Sequence, residues 1–135
     1  MANNGINEMR KICIVDKHQK IQISDNFYSY ELDCNCASPR CFFTLFSKEV
    51  LAYLELSRKL CGSKPIYPTS GFRCYIHNKN VKGVEKSKHC KGLAVDIPLP
   101  SHLTFKEFVD ILRNKVRWPI CIPYEDKNFI HCAVV

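Results

Sequence analysis

Ser87-Lys88-His89-Cys90-Lys91-Gly92-Leu93-Ala94-Val95-Asp96 is the stretch on which both fold and chemistry turn. It sets a histidine and a carboxylate seven residues apart, with a glycine between them. On an uninterrupted strand the side-chain period is two, so positions i and i+7 lie on opposite faces. His89 and Asp96 therefore converge only if the chain turns between them, and Gly92 is the residue that permits the turn. Beyond it, Leu93 to Ile97 reads as a strand with Leu93, Val95 and Ile97 on one face and Ala94 and Asp96 on the other. Pro98 and Pro100 end it. A second histidine, His131, stands in Asn128-Phe129-Ile130-His131-Cys132-Ala133-Val134. There Phe129, His131 and Ala133 share one face, and Ile130, Cys132 and Val134 the other. Two imidazoles and one carboxylate give three ligands and an open fourth position, the ligand count of a catalytic zinc. Spacing alone leaves two competing readings open: histidines that are merely hydrogen-bonded, and Cys90 as a ligand in place of its neighbour. Adjacent side chains on extended backbone point apart, which weighs against Cys90 acting together with His89.

Working outward, a helix is expected over 47–60. Ser47 is a suitable N-cap, Glu49 sits in the first turn, and Val50, Leu51 and Leu54 form a stripe. Arg58 and Lys59 lie in its last turn, and Gly62 follows as a helix stop. A second helix is expected over 104–116. Thr104-x-x-Glu107 is a capping box, and Phe105, Phe108, Val109, Leu112 and Val116 recur at helical spacing. Residues 11–16, 120–122 and 129–135 read as strands. Residues 34–40 and 75–85 read as loops. Pro65 to Arg73 holds a short extended piece and a Ser70-Gly71 turn, followed by Arg73. An arginine there is placed to meet an anionic ligand through its planar fork, although the sequence alone favours an ordinary surface arginine.

A chain of 135 residues with 46% hydrophobic and 24% charged residues corresponds to one domain with a real core. This excludes the disordered and fibrous classes. The net charge of +7 comes from scattered residues. It suits an anionic partner such as a cell-wall polymer, but no nucleic-acid-binding motif accompanies it, so no nucleic-acid partner is expected. No secretory signal is expected, because Met1 to Arg10 is polar and Ile12 to Val15 is too short for its apolar region. No apolar run approaches the ~18 residues of a membrane span. The expectation is therefore a chain made in the cytoplasm. The nine cysteines are odd in number, which argues against a complete disulfide framework. Most are expected as small buried apolar residues. Cys34-x-Cys36-x4-Cys41 is a candidate second metal site without a visible fourth ligand.

Four segments carry a family resemblance in order: Ser70-Gly71-Phe72-Arg73, His77-Asn78-x-x-Val81-x-Gly83, Ser87-x-His89-Cys90-x-Gly92-x-Ala94-x-Asp96 and Phe129-Ile130-His131. Together they resemble the zinc D-alanyl-D-alanine carboxypeptidase family, especially its short phage-type and cell-wall-peptidase members. Their fold is shared with the hedgehog signalling domain and lysostaphin-type endopeptidases. The resemblance covers residues 24–135, which leaves 1–23 as an N-terminal extension. It implies an α+β fold, a small antiparallel sheet carrying a zinc site with helices packed on one side. It implies that His89, Asp96 and His131 hold zinc, and that Arg73 and Ser87 meet the substrate's carboxylate and backbone. Family members commonly place the catalytic acid/base three residues before the last histidine. Here that residue is Asn128, which cannot accept and return a proton. Glu125 is the first candidate in its place and Asp126 the second.

The function implied is that of a hydrolase, a zinc metallopeptidase acting on peptidoglycan stem peptides as a D,D-carboxypeptidase or endopeptidase. A phage lysin-like role in cell wall degradation would fit the charge and place its action at the wall. The alternative is a non-catalytic zinc-binding module, wall-binding or part of a virion, with the same fold. A third reading is a redox or metal protein built on Cys34, Cys36 and Cys41.

Overall fold

The computed structural model describes residues 10–135, so the first nine residues of the expected extension lie outside the described residues. Seven strands are present among the described residues: β1 (Ile12–Asp16), β2 (Gln22–Ser24), β3 (Phe27–Tyr28), β4 (Phe43–Ser47), β5 (Ala94–Pro98), β6 (Ile120–Tyr124) and β7 (Phe129–Ala133). Three helices accompany them: α1 (Lys48–Leu60), α2 (Tyr75–Asn80) and α3 (Phe105–Asp110), the last continued by a wider π-helical turn over Ile111–Val116. The strands form three antiparallel sheets, β1-β4, β2-β3 and β5-β7-β6. This is the expected α+β class. β1, within the stretch read as an extension, pairs with β4 from Ile12↔Ser47 to Asp16↔Phe43.

The sheet that matters for function is β5-β7-β6. Its inner face is apolar: Val95, Ile97, Ile130 and Cys132 are all at most 1% exposed. Against them pack Val50, Leu51 and Leu54 of α1, and Phe108, Leu112 and Val116 of α3 and its extension. Both helices have the apolar stripes expected of them, and burial of those stripes is what holds the helices to the sheet. Ser47 caps α1 by accepting the N–H groups of Glu49 and Val50. The Thr104–Glu107 capping box starts α3 as expected. The two elements are locked further by Trp118, which stacks on Tyr53 at 5.0 Å and donates from Nε1 to the buried Ser57 hydroxyl at 2.9 Å.

Two elements depart from expectation. Residues 75–80 form a helix where a loop was expected; its N-cap is Cys74, whose sulfur accepts the His77 N–H. Asn78 is its one buried residue, so no apolar stripe marks it in the sequence. The last strand ends at Ala133 rather than 135, and β6 runs on through Tyr124.

Candidate metal centre

Asp96 and His131 are directly opposed on β5 and β7. Facing residues of an antiparallel pair hold their Cβ atoms about 4.5–5.5 Å apart on the same side of the sheet. Both project from the face opposite the core. His131 Nδ1 reaches Asp96 Oδ1 at 2.9 Å.

His89 arrives from a 3-10 turn, Lys88–Lys91, that precedes β5. The Ser87 hydroxyl caps that turn by accepting the His89 N–H at 3.2 Å. The turn ends at Gly92, whose φ of 72° is left-handed. A Cβ there would lie 2.8 Å from the Leu45 carbonyl, so glycine is required for both conformation and approach. This is the turn that the spacing demanded. It leaves His89 3% exposed, with Nε2 3.2 Å from Asp96 Oδ1. The other ring nitrogen, Nδ1, is 2.8 Å from the Gly71 carbonyl, which can only accept, so Nδ1 carries the N–H and Nε2 is the nitrogen turned to Asp96. Gly71 itself lies against Leu32, where a Cβ would stand 2.8 Å from the backbone.

The donor atoms of His89, Asp96 and His131 thus lie within 4.8 Å of one another. Burial pushes the Asp96 carboxyl up, but the His131 and His89 rings outweigh it and hold the carboxyl down at about 2. An ionised carboxylate and two imidazole nitrogens facing one point are a donor set suited to zinc.

Arg73 stands beside this cluster. The Ser70–Asp96 bridge carries residues 69–73 along β5: Asp96 N–H donates to Ser70 at 2.8 Å, and Thr69 N–H to Asp96 at 3.0 Å. Arg73 Nη2 lies 3.9 Å from Asp96 Oδ2, and Nη1 donates to Asn78 Oδ1 at 2.9 Å. Asn78 in turn donates to the Val84 carbonyl at 3.0 Å. A Cβ on Gly83 would overlap Asn78 Oδ1, so a side chain there would push Asn78 off Arg73. Asn78 is therefore a positioning residue that spacing did not reveal, although His77-Asn78-x-x-Val81-x-Gly83 had been singled out as a motif.

The remaining expected site residues fall differently. Ser87 is 5% exposed and supports the His89 turn from within. Glu125 and Asp126 occupy an exposed 3-10 turn, Glu125–Lys127, at the tip of the β6–β7 hairpin. Neither is part of the three-residue cluster. Asn128 ends that turn in a left-handed conformation with φ 56°. Among the described residues, no helix is long and apolar enough to cross a membrane.

No curated protein matches the chain. The family model described as Peptidase M15 matches residues 25–133.

Proposed function

This chain belongs to the peptidase M15 family, and from that premise we propose that it is a zinc metallopeptidase that hydrolyses peptidoglycan stem peptides, as a D,D-carboxypeptidase or endopeptidase. The observation that carries the reading is the convergence of His89 Nε2, Asp96 Oδ1 and His131 Nδ1 on one point of the sheet face away from the core. His89, Asp96 and His131 would hold the zinc, which when bound would supply a Lewis acid and a water of lowered pKa.

The chain's own residues do the rest. Asp96 stays ionised at neutral pH, and the Gly71 carbonyl holds the His89 ring by its Nδ1–H so that Nε2 faces the site. Arg73, held by Asn78 beside Asp96, offers its guanidinium fork to a peptide's terminal carboxylate. Glu125 takes the proton from the attacking water and returns it to the leaving amine, with Asp126 second in line. Both stand on the hairpin that carries His131. The net charge of +7 would favour approach to an anionic wall, in keeping with action there.

Asn128 favours one second reading: with no carboxylate three residues before His131, the domain would bind zinc and wall peptide without turnover. A single experiment separates the two. Zinc content and release of D-alanine from a stem pentapeptide are measured for wild type, Glu125→Gln and Asp126→Asn. The enzyme reading expects Glu125→Gln to keep its metal and lose about 10²–10⁴-fold in rate. Full activity in both variants would overturn the acid/base assignment. A zinc-loaded wild type that binds the peptide and cleaves none of its bonds would establish the binding module instead.

A further inference from the structure

Outside the histidine cluster, four thiols meet. Cys34, Cys36 and Cys41 come from the segment before β4, and Cys74 from the N-cap of α2. Their sulfurs all lie within 4.8 Å of one another. Cys36 Sγ and Cys74 Sγ are 3.8 Å apart. Four sulfurs around a single zinc at a Zn–S distance of ~2.3 Å stand about 3.8 Å from each other at the corners of a tetrahedron. The bridging sulfides of an iron–sulfur cluster would spread the four cysteines further than this.

The surroundings fit thiolates. Cys74 N–H donates to Cys34 Sγ at 3.3 Å, and His77 N–H donates to Cys74 Sγ at 3.4 Å. Lys17 is only 7% exposed, and lysine is rarely buried without a partner. Its ammonium donates to the Cys36 carbonyl at 2.8 Å and sits 3.5 Å from Cys41 Sγ and 3.8 Å from Cys36 Sγ. Among the described residues no carboxylate pairs with it, and the sulfurs are the groups beside it that can carry negative charge. The local core gives a second reason. It holds three buried residues, Cys34, Cys41 and Phe72, apart from the main cluster, too few to anchor two loops by apolar burial alone.

We propose that Cys34, Cys36, Cys41 and Cys74 bind one structural zinc ion, with Lys17 balancing part of its charge. The four thiols lose four protons and the divalent ion takes four thiolates, giving a site of charge −2 that the Lys17 ammonium lowers to −1. The ion staples the segment before β4 to residues 70–74, the segment that supplies Gly71 and Arg73 to the histidine cluster.

The test is metal stoichiometry on purified protein, with zinc and iron measured together, in wild type, His131→Ala and Cys36→Ser. His131→Ala does not touch the thiols, so it reads the second site on its own. The expected result is one zinc retained in His131→Ala, and one zinc fewer in Cys36→Ser than in wild type. Cobalt loaded into His131→Ala should show the strong sulfur-to-metal charge-transfer absorption of a tetrathiolate, which also covers a Cys36→Ser protein that fails to fold. Thiol titration of the unfolded, chelated protein should find all nine cysteines free. A His131→Ala protein without metal, five titratable thiols (two disulfides in place of the site), or iron with sulfide in place of zinc would each overturn the proposal. None of these outcomes bears on the peptidase reading, which is judged by Glu125→Gln in the wild-type background.

Discussion

Gly92→Ala separates two costs that the fold imposes on one residue. Gly92 has φ 72° and ψ 22°, a left-handed conformation that costs a residue with a Cβ roughly 1–2 kcal/mol. The added Cβ would also stand 2.8 Å from Leu45 C and O and 3.0 Å from Phe46 N. These are backbone atoms of β4, which is hydrogen-bonded to β1, so they cannot swing aside as the end of a side chain would. Relief of such an overlap costs about 1–3 kcal/mol more. Roughly 2–5 kcal/mol in all, with an m value of about 1.5 kcal/mol/M, lowers the urea midpoint by roughly 1.3–3.3 M. Gly62→Ala is the control. Gly62 has φ 100°, but a Cβ there meets only His102 Nε2 at 3.8 Å, an ordinary contact. It should lose only the conformational part, about 1–2 kcal/mol. Gly92 also joins the His89 turn to the strand carrying Asp96, so Gly92→Ala should give up the zinc proposed at His89, Asp96 and His131 to a chelator more readily than wild type, while Gly62→Ala should not. Equal urea midpoints for the two variants would refute the clash with β4. Unchanged zinc retention in Gly92→Ala would refute the claim that this turn sets the ligand geometry.

Two further outcomes follow from single contacts. Ser57→Ala removes the acceptor of the Trp118 indole N–H, at a site where Ser57 is 0% and Trp118 4% exposed. The unpaired donor should cost about 1–3 kcal/mol in urea unfolding, and a loss below ~0.5 kcal/mol would show that the bond contributes nothing. Glu55 answers to pH. Burial raises its pKa, but the Asn26 side chain and N–H, both 2.7 Å from its carboxylate, outweigh this and hold it below 4.5. A depressed folded pKa means stability that is fully present above the unfolded value and lost as pH falls through the folded one. Wild type should therefore lose more stability than Glu55→Gln between about pH 6 and pH 3, and parallel losses would refute the role given to Asn26.

What the sequence could state by itself was local. Ser47, Thr104-x-x-Glu107 and the 3.6-residue stripes announce α1 and α3, because caps and stripes act within a few residues. The need for a turn between His89 and Asp96 follows from strand geometry in the same way. The α2 helix carried no such signal, because only Asn78 of its six residues is buried. The fourth thiol was invisible for another reason. Cys74 joins Cys34, Cys36 and Cys41 through tertiary folding across the whole of β4 and α1, and no local rule reaches that far. The Gly71 carbonyl that orients His89 is a backbone atom, with no residue type to announce it.

The pairing of β5 with β7 links fold and site most tightly. Asp96 faces His131, while Val95 faces Cys132 and Ile97 faces Ile130. A slip by one residue would turn Asp96 or His131 toward the helices and an apolar partner toward solvent. Ile97, Ile130 and Cys132 are 0% exposed, so such a slip would bring at least one of them out of the core. Full burial of one such side chain is worth about 1.5–3 kcal/mol, and an unpaired carboxylate in its place costs more. The register that assembles two of the three donors is thus the register that the core enforces. Only His89 must be brought in separately, by the Gly92 turn and the Gly71 carbonyl. That division predicts where the site is fragile: substitutions in the core of β5 and β7 should lower stability before they alter the donor geometry, whereas substitutions at Gly92 should disturb both together.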